Sequence, residues 1–359
     1  MSAAMEDPSN AVHLWRSTPW SRMRPEEVEP TAIRMNLHSV DATGEASLDS
    51  CSPDLFPVVI DGPETSLPDV EDIARHTLAN LDAAPMRLNL KGDHDAVVNV
   101  DLKAAGHVAV GRLHITCKGR AVVHLHLSGD TGWCGLHLTG HVANGCSLSV
   151  IVTDELPLES RVVRCDDWRV GRDATFETGT LSVGGLRRKS DLRHHLDATG
   201  AAVRIGLAVH GQGKRHDDHH VEIHHHKGHT TSELVANMAC GGRSRSVGTG
   251  RLVIDVGADG TDAGQVFRNL LLSQGARADA IPELEVLADD VSAAHGAASA
   301  SIDNDQLHYL MSRGLDLDEA SAMIVEGFLA DAFRILAAAE ARRTLRDRLT
   351  VHLDCARIT

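Results

Sequence analysis

The feature that most limits the possible folds is a period of two in hydrophobicity, which runs from residue 86 to about residue 256. Roughly ten short runs alternate apolar and polar residues there, and each ends in Gly, Asp, Asn or Ser, as β-strands do. Asn-Gly and Asp-Gly pairs, which specify tight hairpins, are almost absent between the runs. Short strands without hairpins or intervening helices leave two main options, a β-sandwich or a solenoid of β-coils.

The spacing of the strands favours the solenoid. Groups of strands recur about every 20 residues, which is typical of a stacked parallel β-helix whose coils contact only their neighbours. Aromatic residues make up only 3% of the chain, and packing by Val, Leu, Ala and Gly suits narrow, repeated layers. We therefore predict a mainly β fold, with a parallel β-helix core over residues 86–294.

Helical segments are expected on both sides of this core. Residues 1–85 form an N-terminal, partly helical segment whose first part is too polar to build a core, so Trp15 and Trp20 should dock onto the β-body. A capping-box pattern followed by apolar residues at helical intervals predicts one helix over residues 68–81.

Residues 295–359 form the C-terminal helical segment. Apolar residues recur there three and four apart, which predicts one helix ended by Gly314. A second helix is predicted from about residue 318 to residue 349, and its apolar stripe must face the β-body or a partner. Phe328 and Phe333 on this stripe are assigned to a partner interface.

Composition and missing motifs exclude several classes of function. The net charge of −15 opposes binding to nucleic acid or to an anionic membrane, since both attract positive surfaces. Neither a long apolar run nor a signal peptide is present, so we expect a cytoplasmic protein. The seven cysteines include no C-x-x-C pair. The nucleotide-binding, serine-hydrolase and zinc-protease motifs are missing, so any ATP must be bound by another chain.

A histidine-rich tract at residues 216–229 is the first candidate site. Its histidines are interleaved with Asp and Glu, so capture of a metal by mixed nitrogen and oxygen ligands is chemically feasible. On a strand, His220, Glu222 and His224 would share one face. The competing interpretation is a row of structural and partly exposed polar side chains. The candidate metal ligands of the tract are His220, His224, His225 and His229.

His295 is the second candidate, because it lies just before the change from strand to helical spacing, where a loop can leave an imidazole exposed. Imidazole nitrogen is a suitable ligand for iron and zinc. The adjacent carboxylates Asp289 and Asp290 would point to opposite faces of a strand, which favours turn or partner contacts over an acid-base pair. We predict that His295, Asp289 and Asp290 lie at a partner interface.

Several motifs of the chain resemble those of a known family. Near the N-terminus the sequence reads WRxTP from Trp15. The C-terminal half contains TDAxQxxxNLLLS at residues 261–273, PxLE at 282–285, ADDV at 288–291, HGA at 295–297 and QLxYLxSRG at 306–314. In this order and spacing the motifs resemble the C-terminal half of the SufB/SufD family of iron-sulfur cluster assembly proteins.

The resemblance implies a right-handed parallel β-helix with helical ends, in agreement with the strand pattern. It also implies that the terminal coils pair with a SufB-type chain and that the C-terminal helices dock a SufC-type ABC ATPase. The family's C-S-H-G-A motif, whose His takes part in assembling a transient iron-sulfur cluster at the interface, falls on His295. Ala293 and Ala294 replace its Cys and Ser, so ligation by this subunit would rest on the imidazole alone.

Two further positions indicate the branch of the family. SufB-type chains place a sulfur-accepting Cys and a Glu where this chain has Phe267 and Gly296, so the chain resembles the SufD-type partner. The resemblance then implies a non-catalytic scaffold subunit. Without a partner, the chain can also pair with a second copy of itself as a homodimer. The resemblance leaves open whether a flavin is bound.

Two other functions remain open on the sequence alone. One is a stand-alone metal-binding protein or metalloenzyme that uses the histidine-rich tract. The other is a polysaccharide-active β-helix enzyme, which would require aromatic platforms and a secretion signal that the chain lacks.

Overall fold

The computed structural model describes residues 13–38, 44–56, 72–81 and 83–358. Its strands wind into a parallel β-solenoid of about eight coils, which confirms the predicted fold class. Numbered in chain order, the strands are β1 (Thr31–Ala32), β2 (Arg34–His38), β3 (Glu45–Ser50), β4 (Met86–Lys91), β5 (Val97–Lys118), β6 (Arg120–Val142), β7 (Ser147–Asp154), β8 (Arg161–Val170), β9 (Thr175–Ser182), β10 (Arg187–Leu196), β11 (Ala202–Gly211), β12 (His216–His225), β13 (Thr231–Cys240), β14 (Arg245–Ile254), β15 (Thr261–Leu271), β16 (Arg277–Val286) and β17 (Val291–Ser301).

The coils stack two parallel sheets against each other. We call β8, β10, β12, β14 and β16 the even sheet, and β7, β9, β11, β13, β15 and β17 the odd sheet. β5 and β6 contribute to both sheets. Coil length can be read from paired residues: 25 residues separate Asn99 from His124, and 29 separate Lys189 from Asp218. The predicted repeat of about 20 residues was therefore too short, because the turns between the sheets lengthen each coil.

The two long strands bend where they pass from one sheet to the other. In β6 the bend includes Gly129, whose φ is +126°. A Cβ at this position would collide with the carbonyl oxygen of Ala104 in the adjacent strand, so only glycine allows this approach. Two runs that the sequence pattern separates, residues 121–128 and 134–142, thus belong to one strand.

Apolar side chains on the inner faces form one continuous core along the solenoid, from Ile33 to Phe267. At its first end, antiparallel β2 and β3 pair with β5 and β4. α1 (Ile73–Asn80) packs on the outer face of the even sheet, and Trp15 and Trp20 are buried in the same cluster. This confirms that the two rings dock onto the β-body. α1 is the described part of the helix predicted over residues 68–81, and the capping-box positions lie outside the described residues.

The β-body extends past the expected boundary at residue 294, because β17 continues to Ser301. Three helices follow: α2 (Asn304–Ser312), α3 (Leu317–Asp331) and α4 (Ala339–Ile358). Gly314 follows α2 with a φ of +99°, as predicted. The single helix predicted over residues 318–349 is wrong, because α3 and α4 are separate.

The break between α3 and α4 has a cause far away in the sequence. The backbone N–H groups of Ala337 and Ala338, just before α4, donate to the carboxylate of Glu177 in β9 at 2.7 and 3.2 Å. These unpaired donors at a helix start need an acceptor, and here it comes from the odd sheet. Both helices bury apolar residues such as Leu329 and Leu345 against that sheet. Of the helices within the described ranges, none has the length and apolar character needed to cross a membrane.

Candidate functional site

The last coil of the solenoid contains His295. This residue lies within β17, in register with Gln265 of β15, rather than in a loop before the helices. Paired residues of a parallel ladder point to the same face, and Gln265 is buried inside the solenoid. His295 therefore belongs to the inner face, and it is exposed because no coil among the described residues follows β17 in the stack.

We define the open rim as β16, β17 and the turn between them. In the described part of the chain β17 pairs only with β15, and β16 pairs only with β14. Asp289 and Asp290 lie exposed in the turn, and the carbonyl of Asp290 accepts a hydrogen bond from the N–H of Gly260 at 2.6 Å. The open rim thus contains His295 as well as the two aspartates that the sequence assigns to a partner interface.

The positions that distinguish this chain from SufB-type chains have different surroundings. Phe267 is fully buried in the core of the solenoid. Around Gly296, in contrast, a Cβ would meet open space, so steric crowding does not explain the absence of a larger side chain. Ala293 is partly buried against the core and lies in register with Ala263. Of the three residues of the HGA motif, only His295, through its imidazole, has a side-chain donor atom of the kind that ligates metals.

The histidine-rich tract forms β12, and its outer face matches the predicted arrangement. Glu222 accepts hydrogen bonds from His220 Nε2 at 2.7 Å and from His224 Nε2 at 3.0 Å. Burial raises the pKa of Glu222, but the bonds from His220 and His224 outweigh burial and hold the pKa well below its usual range. The carboxylate therefore stays charged and binds both imidazoles.

The other two candidates of the tract point elsewhere. His225 is buried on the inner face and bonds to Thr230 Oγ1 at 2.7 Å and Ser232 Oγ at 2.8 Å. Burial, with His224 second, lowers the pKa of His225 to about 4. His229 is exposed in the following turn with a φ of +55°. The four candidates thus do not converge, and the described residues contain no group of three or more His, Cys, Asp or Glu side chains that could hold a metal ion.

Sequence reasoning missed a stack of three imidazoles beside the tract. The rings of His195, His224 and His226 are nearly parallel, with centroids 4.9 to 5.8 Å apart. His195 Nδ1 lies 3.0 Å from His226 Nε2, and His226 Nδ1 contacts Asp255 at 2.7 Å. Burial, with His224 second, lowers the pKa of His195 to about 2. No local sequence signal marks this stack, because it depends on the 29-residue coil that places His195 in register with His224.

A buried ion cluster attaches α1 to the even sheet. The guanidinium of Arg75 is fully buried and contacts the carboxylates of Asp167, at 2.8 Å, and Asp191. His137 Nε2 contacts the other oxygen of Asp167 at 2.6 Å. Burial would raise the pKa of Asp167, but Arg75 and His137 outweigh burial and hold it well below its usual range. The cluster is structural, since its charges are paired away from solvent.

The C-terminal helices present an apolar surface on α2 and α3. Phe333 is buried against the odd sheet. The prediction that it lies at a partner interface is therefore wrong, because its side chain is covered within this chain. Phe328 is only partly buried, and its carbonyl accepts a hydrogen bond from Asn237 at 2.7 Å. We define the helical patch by its exposed apolar side chains, which are Tyr309, Met311, Leu317 and Met323.

The fold and the open rim define a class, namely a parallel β-solenoid that has helices packed on its outer faces and one end that no described residue covers. Residues 99–328 match the family described as SUF system FeS cluster assembly, SufBD core domain. The match covers more than half of the chain, and the chain belongs to the SufBD family of the SUF system.

Named relatives agree with this assignment. The chain is 27% identical over 374 residues to an iron-sulfur cluster assembly SufBD family protein of Mycobacterium tuberculosis, with 98% of this chain and 89% of the relative covered. It is 29% identical over 198 residues to the iron-sulfur cluster assembly protein SufD of Escherichia coli, with 55% and 47% covered. SufD of Bacillus subtilis is 32% identical over 162 residues, with 45% and 37% covered. The SufD-like interpretation of Phe267 and Gly296 is consistent with these relatives.

Proposed function

We propose that this chain is the SufD-type scaffold subunit of a complex that assembles iron-sulfur clusters, and that it does not itself catalyse a reaction. The observation that carries the proposal is the exposed imidazole of His295 on the inner face of the open rim. An iron-sulfur cluster takes about four protein ligands, and this rim supplies one imidazole. The cluster is therefore cargo that is held only when a second chain supplies the remaining ligands.

A SufB-type chain is the partner that fits the open rim. Among the described strands, β16 and β17 are each paired along one edge only. Another strand can pair with the second edge and so extend the sheets. A chain of the same solenoid fold would continue both sheets and cover the inner-face residues at the end of the core. In isolation, a second copy of this chain could use the same rim, which accounts for the predicted homodimer.

The helical patch supports docking of a SufC-type ATPase. Tyr309 and Leu317 are 58% and 52% exposed, and exposed apolar groups of this size on adjacent helices are typical of partner surfaces. ATP-driven movement of the ATPase would then act on helices that directly follow β17, and so on the rim that carries His295. A cytoplasmic location belongs to the proposal, since none of the seven cysteines is paired, as in a reducing compartment.

The His295 test uses co-expression with SufB-type and SufC-type proteins from the same organism, followed by anaerobic reconstitution with iron and sulfide. We expect a stable complex whose visible cluster absorbance falls at least about tenfold with His295→Ala, since a ligand is removed. The matched control is His107→Ala, another exposed histidine far from the rim. Failure to retain either partner, or equal cluster yields in the two variants, contradicts the proposal.

Further variants test the open rim and the helical patch separately. Ala297→Arg puts a charge on the exposed inner face of the rim, so we expect loss of the SufB-type partner, whereas Ala105→Arg, at an exposed alanine of β5, should retain it. Tyr309→Ser together with Met311→Ser should release the ATPase, whereas Val351→Ser on α4, which is 55% exposed, should not. Pull-down yields measure both effects, and the assignment of a surface fails if its variant and control behave alike.

A further inference from the structure

A cavity of about 300 Å³ lies where the N-terminal segment crosses the start of the even sheet. Its floor is formed by the turns that lead into β10, β12 and β14, and its wall by the segment around Thr18. None of the residues that line it belongs to the open rim or to the helical patch, although Arg245 contacts Asp279 at the start of β16. The residues that line it are Ser17, Thr18, Pro19, Arg22, Leu186, Arg187, Lys214, Arg215, His216, Arg243 and Arg245.

The coil repeat explains why so many basic side chains meet here. Arg187, His216 and Arg245 occupy the same register position in three successive strands, so they are stacked at the strand spacing of about 4.8 Å. Lys214 lies two residues before His216, and Arg243 lies two residues before Arg245, so the two occupy equivalent turns. Winding the chain thus gathers charges that are far apart in the sequence.

Most of these charges lack a counter-charge inside the protein. Among the described residues, Arg22, Arg187, Lys214 and Arg243 form no ion pair or hydrogen bond through their side chains. No carboxylate lines the cavity, although the chain as a whole carries a net charge of −15. The local excess of positive charge is therefore opposite to the charge of the whole protein.

The remaining polar groups of the cavity are held by neighbours. Arg245 contacts Asp279 at 2.7 Å, and Thr18 Oγ1 bonds to His216 Nε2 at 2.8 Å and to Asp218 at 2.6 Å. Arg215 is 3% exposed and binds Asp217 and Ser182, but its Nη1 has no hydrogen-bond partner among the described residues. The bonds of Arg215 to Asp217 and Ser182 tie its guanidinium to fully buried groups, so the cations left for a ligand in the cavity are those without a partner.

Four unpaired cations in one cavity repel each other, and the low-dielectric walls strengthen this repulsion. We propose that the cavity binds a small anion that carries two or more phosphate groups. Arginine forks match phosphate oxygens in geometry, and the volume lies at the lower end of the range for small-molecule pockets. A single phosphate is too small to reach cations spread over three coils.

The test is calorimetric titration of the full chain with inorganic pyrophosphate and with ADP, using inorganic phosphate for comparison. We expect saturable binding of pyrophosphate or ADP with a Kd below about 1 mM, weaker binding of phosphate, and loss of affinity as salt increases. The absence of saturable binding of both diphosphates overturns the proposal.

Variants locate the binding. Lys214→Ala with Arg243→Ala removes two exposed, unpaired cations, so the fold should be retained, which circular dichroism checks; affinity should fall at least about tenfold. The matched control is Arg277→Ala, which continues the register of Arg245 one strand further but does not line the cavity. Equal loss of affinity in the control and the double variant overturns the location. Neither outcome depends on the rim, so this proposal and the proposed function can fail separately.

Discussion

The two ends of the solenoid differ, although both are built from the same kind of coil. At the first end, antiparallel β2 and β3 pair with β5 and β4, and inner-face residues such as Leu88 and Val98 are fully buried. At the other end no side chain of β16 or β17 is buried, although Leu284 and Ala293 touch the same core.

This difference shows that burial is set by position in the stack rather than by residue type. Repeat proteins bury each unit against its neighbours and need a cap on the terminal one. Exposed strand edges also invite pairing with another chain. The first end carries its own cap within the chain, whereas the open rim has none in the ranges that the structure describes. The open rim is therefore the end at which the proposed partner would supply the missing coil.

The largest expected loss of stability comes from removing an ion pair in the covered coils, and it is compared with the loss of an ion pair beside the open rim. Arg75→Ala removes the buried guanidinium that Asp167 and Asp191 share. The two carboxylates then keep only His137 and Arg193 as partners, and the free energy of unfolding should fall by about 3–5 kcal/mol. The control is Arg251→Ala, which removes an exposed pair with Glu285 across β14 and β16 and should cost at most about 1 kcal/mol. Urea denaturation measures both free energies of unfolding. Similar losses in the two variants would show that the ion pairs stabilise the covered coils and the rim equally.

A second contrast compares two leucines that are in register on adjacent even-sheet strands. Leu252 of β14 is fully buried, whereas Leu284 of β16 is only partly buried. Leu252→Ala should lower the free energy of unfolding by about 2–5 kcal/mol, and Leu284→Ala by less than half of that. In a complex with a SufB-type chain the cost of Leu284→Ala should rise. Equal costs in the isolated chain would argue against an uncovered rim.

Acid should destabilise the covered coils through their buried histidines. Burial is the largest cause that lowers the pKa of His124, His194 and His225 to about 4, whereas an unfolded histidine has a pKa of about 6.5. Between these values the unfolded state binds more protons, so stability present above pH 6.5 is lost as the pH falls towards 4. Each histidine contributes at most about 1.4 kcal/mol per pH unit.

The measurement is the urea midpoint from pH 7.5 to pH 4.5. His124→Gln should make its pH dependence shallower, and the exposed control His107→Gln should leave it unchanged. A midpoint that stays constant through this window, or equal slopes in both variants, contradicts this account.

The fold could be predicted because its determinants are local. The period of two and the rarity of hairpin turns identify stacked coils from neighbouring residues alone. Coil length was not predictable in the same way, since it depends on turns whose geometry is not periodic. The break before α4 also escaped prediction, because the acceptor for its first N–H groups is Glu177, 160 residues away from Ala337.

The candidate site was only partly predictable for the same reason. His295 and the Glu222 pair follow from motif and strand alternation, both of which act within a few residues. The inner-face orientation of His295 and its exposure require the register with Gln265. The stack of His195 with His224 likewise needs the coil length. Contacts between coils join residues about 30 positions apart, and these are the contacts that the sequence pattern does not show.

The smallest expected change in the free energy of unfolding is that of His295→Ala, and it tests most directly whether the open rim is uncovered. His225 and His295 both lie on inner faces, but His225 is buried with hydrogen bonds to Thr230 and Ser232, while His295 is exposed. In the isolated chain, His225→Ala should lower the free energy of unfolding by about 1–3 kcal/mol because polar partners lose their bonds. His295→Ala should stay within about 0.5 kcal/mol of the parent. If His295→Ala destabilises the chain as much as His225→Ala, the imidazole already has a structural role inside this subunit, and it is not held free for a ligand shared with a partner.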